Sequence, residues 1–345
     1  MSKTPLSATT KPAAKQYDPD NDKQYTPQQL EAFLDSVGHL PTKPLADKVA
    51  FYADSVFKSQ KQMDTIISPA DMTILKHAIR KGVMAVSTAR RIFRNKDIDS
   101  ACNEKDIFLT YKPGLIPVVF YPFDKNKNDF NEYAICIGDP GHCPNAALYF
   151  FKGNKIIALQ DGYNRFGTDD GHYKDTDGKT VFYRVQEFAE GSGVGWFNYF
   201  FYKYDGDKLI PVLNELQNGN VQGPLGTRVI WLESTILKTN PLTIKMVYSQ
   251  FGMKDDATIP RESLIINDST IVQYLWDEHT KTLQGQYAKS KISKARILSY
   301  YLEHNDFLFM NSYYSTLKAA LRDKAKSKLI LEYLNKVKNI YCGQQ

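Results

Sequence analysis

Tyr149-Phe150-Phe151-Lys152-Gly153-Asn154-Lys155-Ile156-Ile157-Ala158-Leu159 and, further along, Phe200-Phe201-Tyr202-Lys203-Tyr204-Asp205-Gly206-Asp207-Lys208-Leu209-Ile210-Pro211-Val212-Leu213 share one plan: aromatic strand, glycine-containing turn, lysine, aliphatic strand. Gly153-Asn154 and Asp205-Gly206 tolerate the positive φ of a tight hairpin turn, and the flanking aromatic and β-branched residues suit a pleated surface. A third hairpin reads from Ile271 to Trp276, turns through Asp277 to Thr280 and returns from Thr282 to Tyr287. With further strands expected at 181–188 and 227–236, residues 105–288 read as an antiparallel meander, arranged as a sandwich, a curved sheet or a partial propeller.

Helical periodicity holds on either side. Thr26-Pro27-Gln28-Gln29 combines an N-cap hydroxyl, a proline at the first helical position and a capping-box glutamine. A second helix is expected from Pro44 to about Lys61. Ser68-Pro69-Ala70-Asp71 opens a third, whose stripe Met72, Leu75, Ile79, Val83, Val86 and Phe93 predicts one continuous helix. After Lys291 the period returns in Ile292, Ala295, Leu298 and Leu302, and a longer helix is expected from about Ser312 to Tyr341. The fold class is therefore α+β: helices at 26–100 and 291–342 flank the β region, the C-terminal ones packing on the same body.

Composition narrows the function classes. The 345 residues include 22 Tyr, and the net charge is +6. From Lys291 onward ten Lys and Arg face four Asp and Glu, so that segment carries the whole excess. The basic residues there read as a solvated helix face, and Arg80, Lys81, Arg90, Arg91 and Arg94 before it lack interleaved aromatics or a reading motif, which argues against nucleic acid as a partner. A cytosolic interaction protein using the basic C-terminal helices is one alternative reading. No apolar run is long enough to span a bilayer. Residues 1–25 are rich in Ser, Thr, Pro, Ala and Lys, and read as a disordered tether. That opening resembles the spacer that follows a removed signal or lipid anchor in exported bacterial proteins, which would be the protein's connection to a membrane. The leading expectation is a non-enzymatic protein of the periplasm or cell surface, with a cytoplasmic location as the alternative.

The four cysteines bear on the same question. Cys136 and Cys143 flank a Gly-Asp-Pro-Gly turn, so they are expected to pair, leaving Cys102 and Cys342 for a second bridge. Two bridges imply an oxidising compartment. Adjacent His142 and Cys143 lack the spacing of a zinc site.

Two stretches offer chemistry. Residues 161–178 hold five Asp and four Gly. Asp169, Asp175 and Asp177 are calcium candidates because hard cations take clustered carboxylates, although the EF-hand order is absent. His172 beside Asp169 and Asp170 is an acid/base candidate for a hydrolase, the alternative function. Gly191-Ser192-Gly193-Val194-Gly195 leads into a strand pattern, not the helix that a nucleotide loop requires. The strand that follows supplies the binding expectation: Trp196, Tyr199 and Tyr202, with Tyr163 from the acidic loop, as a surface for a glycan, peptide or protein.

Overall fold

The computed structural model describes residues 22–57, 61–99, 112–164, 169–191, 194–221, 228–252, 264–301 and 305–342. Residues 1–21 of the expected tether lie outside them. The architecture is α+β with two antiparallel sheets and helices at both ends of the chain.

The first helix, α1 (Pro27–Gly38), opens as its sequence predicts: Thr26 accepts from the Gln29 N–H at 3.3 Å, and the Gln29 side chain accepts from the Thr26 N–H at 2.9 Å. α2 (Thr42–Phe57) follows, then a strand that helical reading missed, β1 (Lys61–Ile66). α3 (Pro69–Lys81) is capped by Ser68. The expected continuous helix breaks after it. Gly82 takes the left-handed conformation at φ 69° and ends α3. Val83–Ala85 then forms β2, and α4 (Val86–Phe93) resumes the helix. The apolar stripe is shared by three elements that cover one face.

That face belongs to a six-stranded sheet ordered β1-β6-β5-β4-β3-β2. Its other strands are β3 (Leu115–Pro122), β4 (Glu132–Ile137), β5 (Ala147–Lys152) and β6 (Lys155–Asp161), with Gly153 at φ 61° in the β5–β6 turn. On one side Tyr133, Tyr149 and Phe151 pack beneath Leu75, Ile92 and Phe93 of α3 and α4.

The second sheet is an eight-stranded meander, each strand paired to the next in sequence from β7 to β14. It runs through β7 (Asp170–Lys174), β8 (Thr180–Gly191), β9 (Val194–Asp205), β10 (Lys208–Val221), β11 (Arg228–Thr239), β12 (Leu242–Gly252), β13 (Leu264–Asp277) and β14 (Thr282–Gly285). All three hairpin turns fall where the sequence places them, with Gly206 at φ 61° and Lys281 at φ 54°.

The two sheets pack face to face. Phe150, Leu148 and Ile157 of the first meet Phe182, Phe200, Tyr202 and Tyr204 of the second, joined by Phe57 of α2. Side chains alternate along a strand, so the neighbours of those residues, Tyr199 and Phe201, point the other way, into the largest core. That core also holds α1 and the C-terminal helices, α5 (Lys294–Leu298), α6 (Asp306–Ser312), α7 (Tyr314–Ala320) and α8 (Ser327–Cys342). The long helix expected from about Ser312 is thus divided into α7 and α8, with Arg322 to Lys326 in turns between them.

Candidate functional site

The second sheet curls until β14 lies against β10, two strands not adjacent in its order. α2 and α5 pack together over this junction. A cavity of about 320 Å³ remains there, walled by Ala53 and Phe57 of α2, Val212 of β10, Leu283 of β14 and Leu298 of α5.

A polar cluster stands in this wall, to which Asp54, Thr282 and Gln284 also contribute. Glu215 on β10 has no exposed surface and points toward the large core, opposite Tyr199. Its carboxylate accepts from the Tyr274 hydroxyl at 2.8 Å and the Tyr287 hydroxyl at 3.4 Å, and from the Leu216 N–H at 3.2 Å. The Lys294 ammonium lies 3.6 Å from it and 5.4 Å from the centre of the Tyr287 ring. Lys294 and the two tyrosines line the cavity, and Glu215 stands just behind them.

The electrostatics are consistent with this geometry. Burial works against the charge on Lys294, but the Glu215 carboxylate and the Tyr287 hydroxyl outweigh it and hold the ammonium above the ordinary lysine value. Burial and the nearby Glu215 charge raise Tyr274 well above the usual phenol range, so it remains a donor. Beside this cluster Asn214 is fixed at the cavity wall. Its side chain donates to the Ala53 carbonyl at 3.1 Å and accepts from Asn198 and, at 3.3 Å, from Tyr301.

The aromatic residues expected to form a binding surface are elsewhere. Trp196, Tyr199 and Tyr202 are buried in the cores on the two faces of β9. A strand covered on both sides keeps its rings for packing, which is why that expectation fails. Tyr163 is half-buried, and its N–H closes a turn on Asp161 at 2.9 Å.

The acidic segment is occupied by the protein's own cations. Asp170 takes the buried Arg184 guanidinium through two bonds of 2.8 and 3.0 Å. Asp175 and Asp177 do converge, on the Lys203 ammonium at 2.6 and 2.9 Å, which also lies 3.8 Å from the Trp276 ring centre. Asp169 is exposed, and its backbone carbonyl accepts from the Val185 N–H at 3.0 Å. Among the described residues no group of three or more His, Cys, Asp or Glu is placed to hold a metal ion. His172 is exposed on edge strand β7 against Phe123, and the apolar surroundings, aided by Lys174, keep its pKa below the ordinary value. Asp170, its expected partner, is turned to Arg184.

Cys136 is a free thiol buried on β4, so the expected Cys136–Cys143 bridge is not formed. Cys143 is disulfide-bonded to a different cysteine. Cys102 and the side chain of Cys342 lie outside the described residues, and the expected bridge between them with them. Of the basic C-terminal residues, Lys318 is paired with Glu31 and Asp35 of α1, and Lys338 lies over the rings of Tyr25 and Phe33. No described helix is long and apolar enough to cross a membrane.

Sequence reasoning missed Glu215, Tyr274, Tyr287 and Lys294. One signal was present: Asn214-Glu215 interrupts the apolar run from Leu209 to Leu216. A search of family models, curated proteins and solved structures finds nothing that matches this chain.

Proposed function

We propose that the protein is a non-enzymatic binding protein, acting outside the cytoplasm, whose ligand enters the cavity between β10 and β14. The observation that carries this reading is the convergence of a buried carboxylate, two phenols and a half-exposed ammonium on one small apolar cavity. Pockets that hold small molecules combine such apolar walls with a few convergent polar groups, and this one stands at the small end of their usual range of roughly 300 to 1,000 Å³.

Binding is favoured over covalent catalysis by the state of Lys294. A nucleophilic lysine needs a lowered pKa, and here the neighbouring Glu215 raises it. A glycan, peptide or protein partner fits the cavity only through a terminal group of matching size. The extracytoplasmic location is supported by the disulfide of Cys143 and by the composition of residues 1–25.

A fragment screen read by protein-observed NMR tests the binding role. Hits are expected to shift the methyl signals of Ala53, Leu283 and Leu298 together, and to lose affinity when Leu283→Trp fills the cavity. A full screen without a hit that moves those signals would overturn the proposal.

A further inference from the structure

We infer that the open face of β11, β12 and β13 is an interface between two copies of this chain, packed face to face about a two-fold axis. Ile230, Leu232, Met246, Tyr248 and Val272 of these strands point into the large core, so their neighbours point to the opposite face. The first sheet covers that opposite face at β8, β9 and Leu209 of β10. Further on the face is open, and Trp231, Val247 and Ile271 are 52, 37 and 55% exposed. Val247 stands diagonally between the other two, roughly 7 to 8 Å from each. Large apolar side chains grouped in this way on an open face mark a docking surface.

The charges on this face identify the occupant. Glu233 lies directly across from Val247, and Lys245 directly across from Ile271. Both are exposed, and neither is ion-paired with a described residue. The other side chains of these rows, Thr235, Ser249, Asn267 and Ser269, are polar and uncharged. One charge of each sign leaves no net field to select an acidic or a basic partner, but it makes the face complementary to itself, as a two-fold contact requires. The register supplies the axis. Strands lie about 4.8 Å apart, and alternate residues of one strand about 6.8 Å apart. An axis between the two sheets, midway between Glu233 and Lys245 and perpendicular to the line joining them, sets each Glu233 over Lys245 of the second copy. In projection the same axis brings Trp231 to about 3 Å from Ile271 of the second copy. It also sets Val247, Thr235 and Ser269 each beside its own copy, while Leu237, Lys238 and Leu275, further along, fall beyond the three strands. One placement thus matches acid with base and apolar with apolar.

Sedimentation velocity of the full chain, from micromolar to near-millimolar concentration, tests the interface. Native protein is expected to form a dimer that dissociates on dilution. Val247→Glu, which sets two carboxylates together at the centre, is expected to weaken it at least about tenfold. Glu233→Lys and Lys245→Glu each set like charges across the axis, and each alone should weaken it about tenfold. Mixed in equal amounts, these two variants should form a heterodimer about as tight as the native dimer, because every acid again faces a base. All three side chains are exposed, so the variants are expected to keep the native near-ultraviolet circular dichroism. A native chain that stays monomeric throughout would overturn the proposal and leave the face to a partner of another kind. A dimer that none of the substitutions weakens would place the contact elsewhere and overturn it too. Single variants that mixing fails to rescue would overturn the two-fold pairing of Glu233 with Lys245.

Discussion

Glu215 and Lys294 meet at 3.6 Å with unequal burial: the carboxylate is wholly out of water, whereas the ammonium side chain is 41% exposed. The inequality sets the order of two substitutions. Lys294→Met leaves a buried carboxylate without a countercharge and is expected to cost about 3 kcal/mol, the low end for breaking a buried pair. Glu215→Gln keeps acceptors for both phenols and leaves an ammonium that reaches water, so about 1 kcal/mol is expected. Urea denaturation of both variants checks the order, and a costlier Glu215→Gln would contradict it.

The same pair gives the alkaline limb of stability a defined sign. Lys294 has a raised pKa in the fold, so its contribution is complete below the ordinary lysine value of about 10.4 and is lost as pH rises through the folded value. Tyr274 and Tyr287, raised chiefly by burial, act in the same direction. The measured quantity is therefore a difference: between about pH 9 and pH 12 the native protein should lose more stability than Lys294→Met.

Lys203 presents a different case, since its side chain has no exposed surface and lies between Asp175, Asp177 and the Trp276 ring. It joins the β7–β8 turn, β9 and β13 at one end of the sheet. Lys203→Met strands the buried Asp175 carboxylate and is expected to destabilise by about 3 to 5 kcal/mol. Burial tends to raise Asp177, but its bonds to Lys203 and the Lys179 N–H outweigh this and leave its pKa lowered. Its contribution is present above the unfolded value near pH 4 and disappears as pH falls through the lower folded value. Acid titration of stability should be shallower in Lys203→Met. Calcium at millimolar concentration should give no heat with the native protein, because the ammonium occupies the point where these carboxylates converge.

The hairpins were legible in the sequence because their information is local: Gly153, Gly206 and Asp277 each sit within a few residues of the strands they join. The helical ends were legible in existence but not in length. Gly82 interrupts a stripe that keeps its helical period on both sides, and only the partner strand β3 makes Val83 to Ala85 extended. The site was not legible, because Glu215 and Lys294 are far apart in sequence and meet through the curl that brings β14 onto β10. Trp196, Tyr199 and Tyr202 misled for the same reason: an aromatic strand looks alike whether one face or both are covered.

Trp196 is held in a space that a neighbouring residue leaves open. Gly219 lies directly across from it on β10, and a Cβ added there would come within 2.6 Å of the indole ring. Gly219→Ala must therefore displace a fully buried ring, at an expected cost of about 1 to 3 kcal/mol. The check is a lowered denaturation midpoint together with a shifted Trp emission. Unchanged stability would mean that the strand pair relaxes without strain.

Cys136 makes the disulfide arrangement testable by counting thiols. Its side chain is buried beside the Arg184–Asp170 pair, and burial above all pushes its pKa up to about 12. The thiolate is the reactive form, so at pH 8 the native protein should leave Cys136 unmodified by iodoacetamide for hours. Denatured without reductant, the chain should take two alkyl groups, one on Cys136 and one on the cysteine not bonded to Cys143; with reductant it should take four. Four groups without reductant would show that Cys143 is unbridged in solution and would remove the chief support for a location outside the cytoplasm. None without reductant would restore a second bridge, and Cys136 would then be one of its ends.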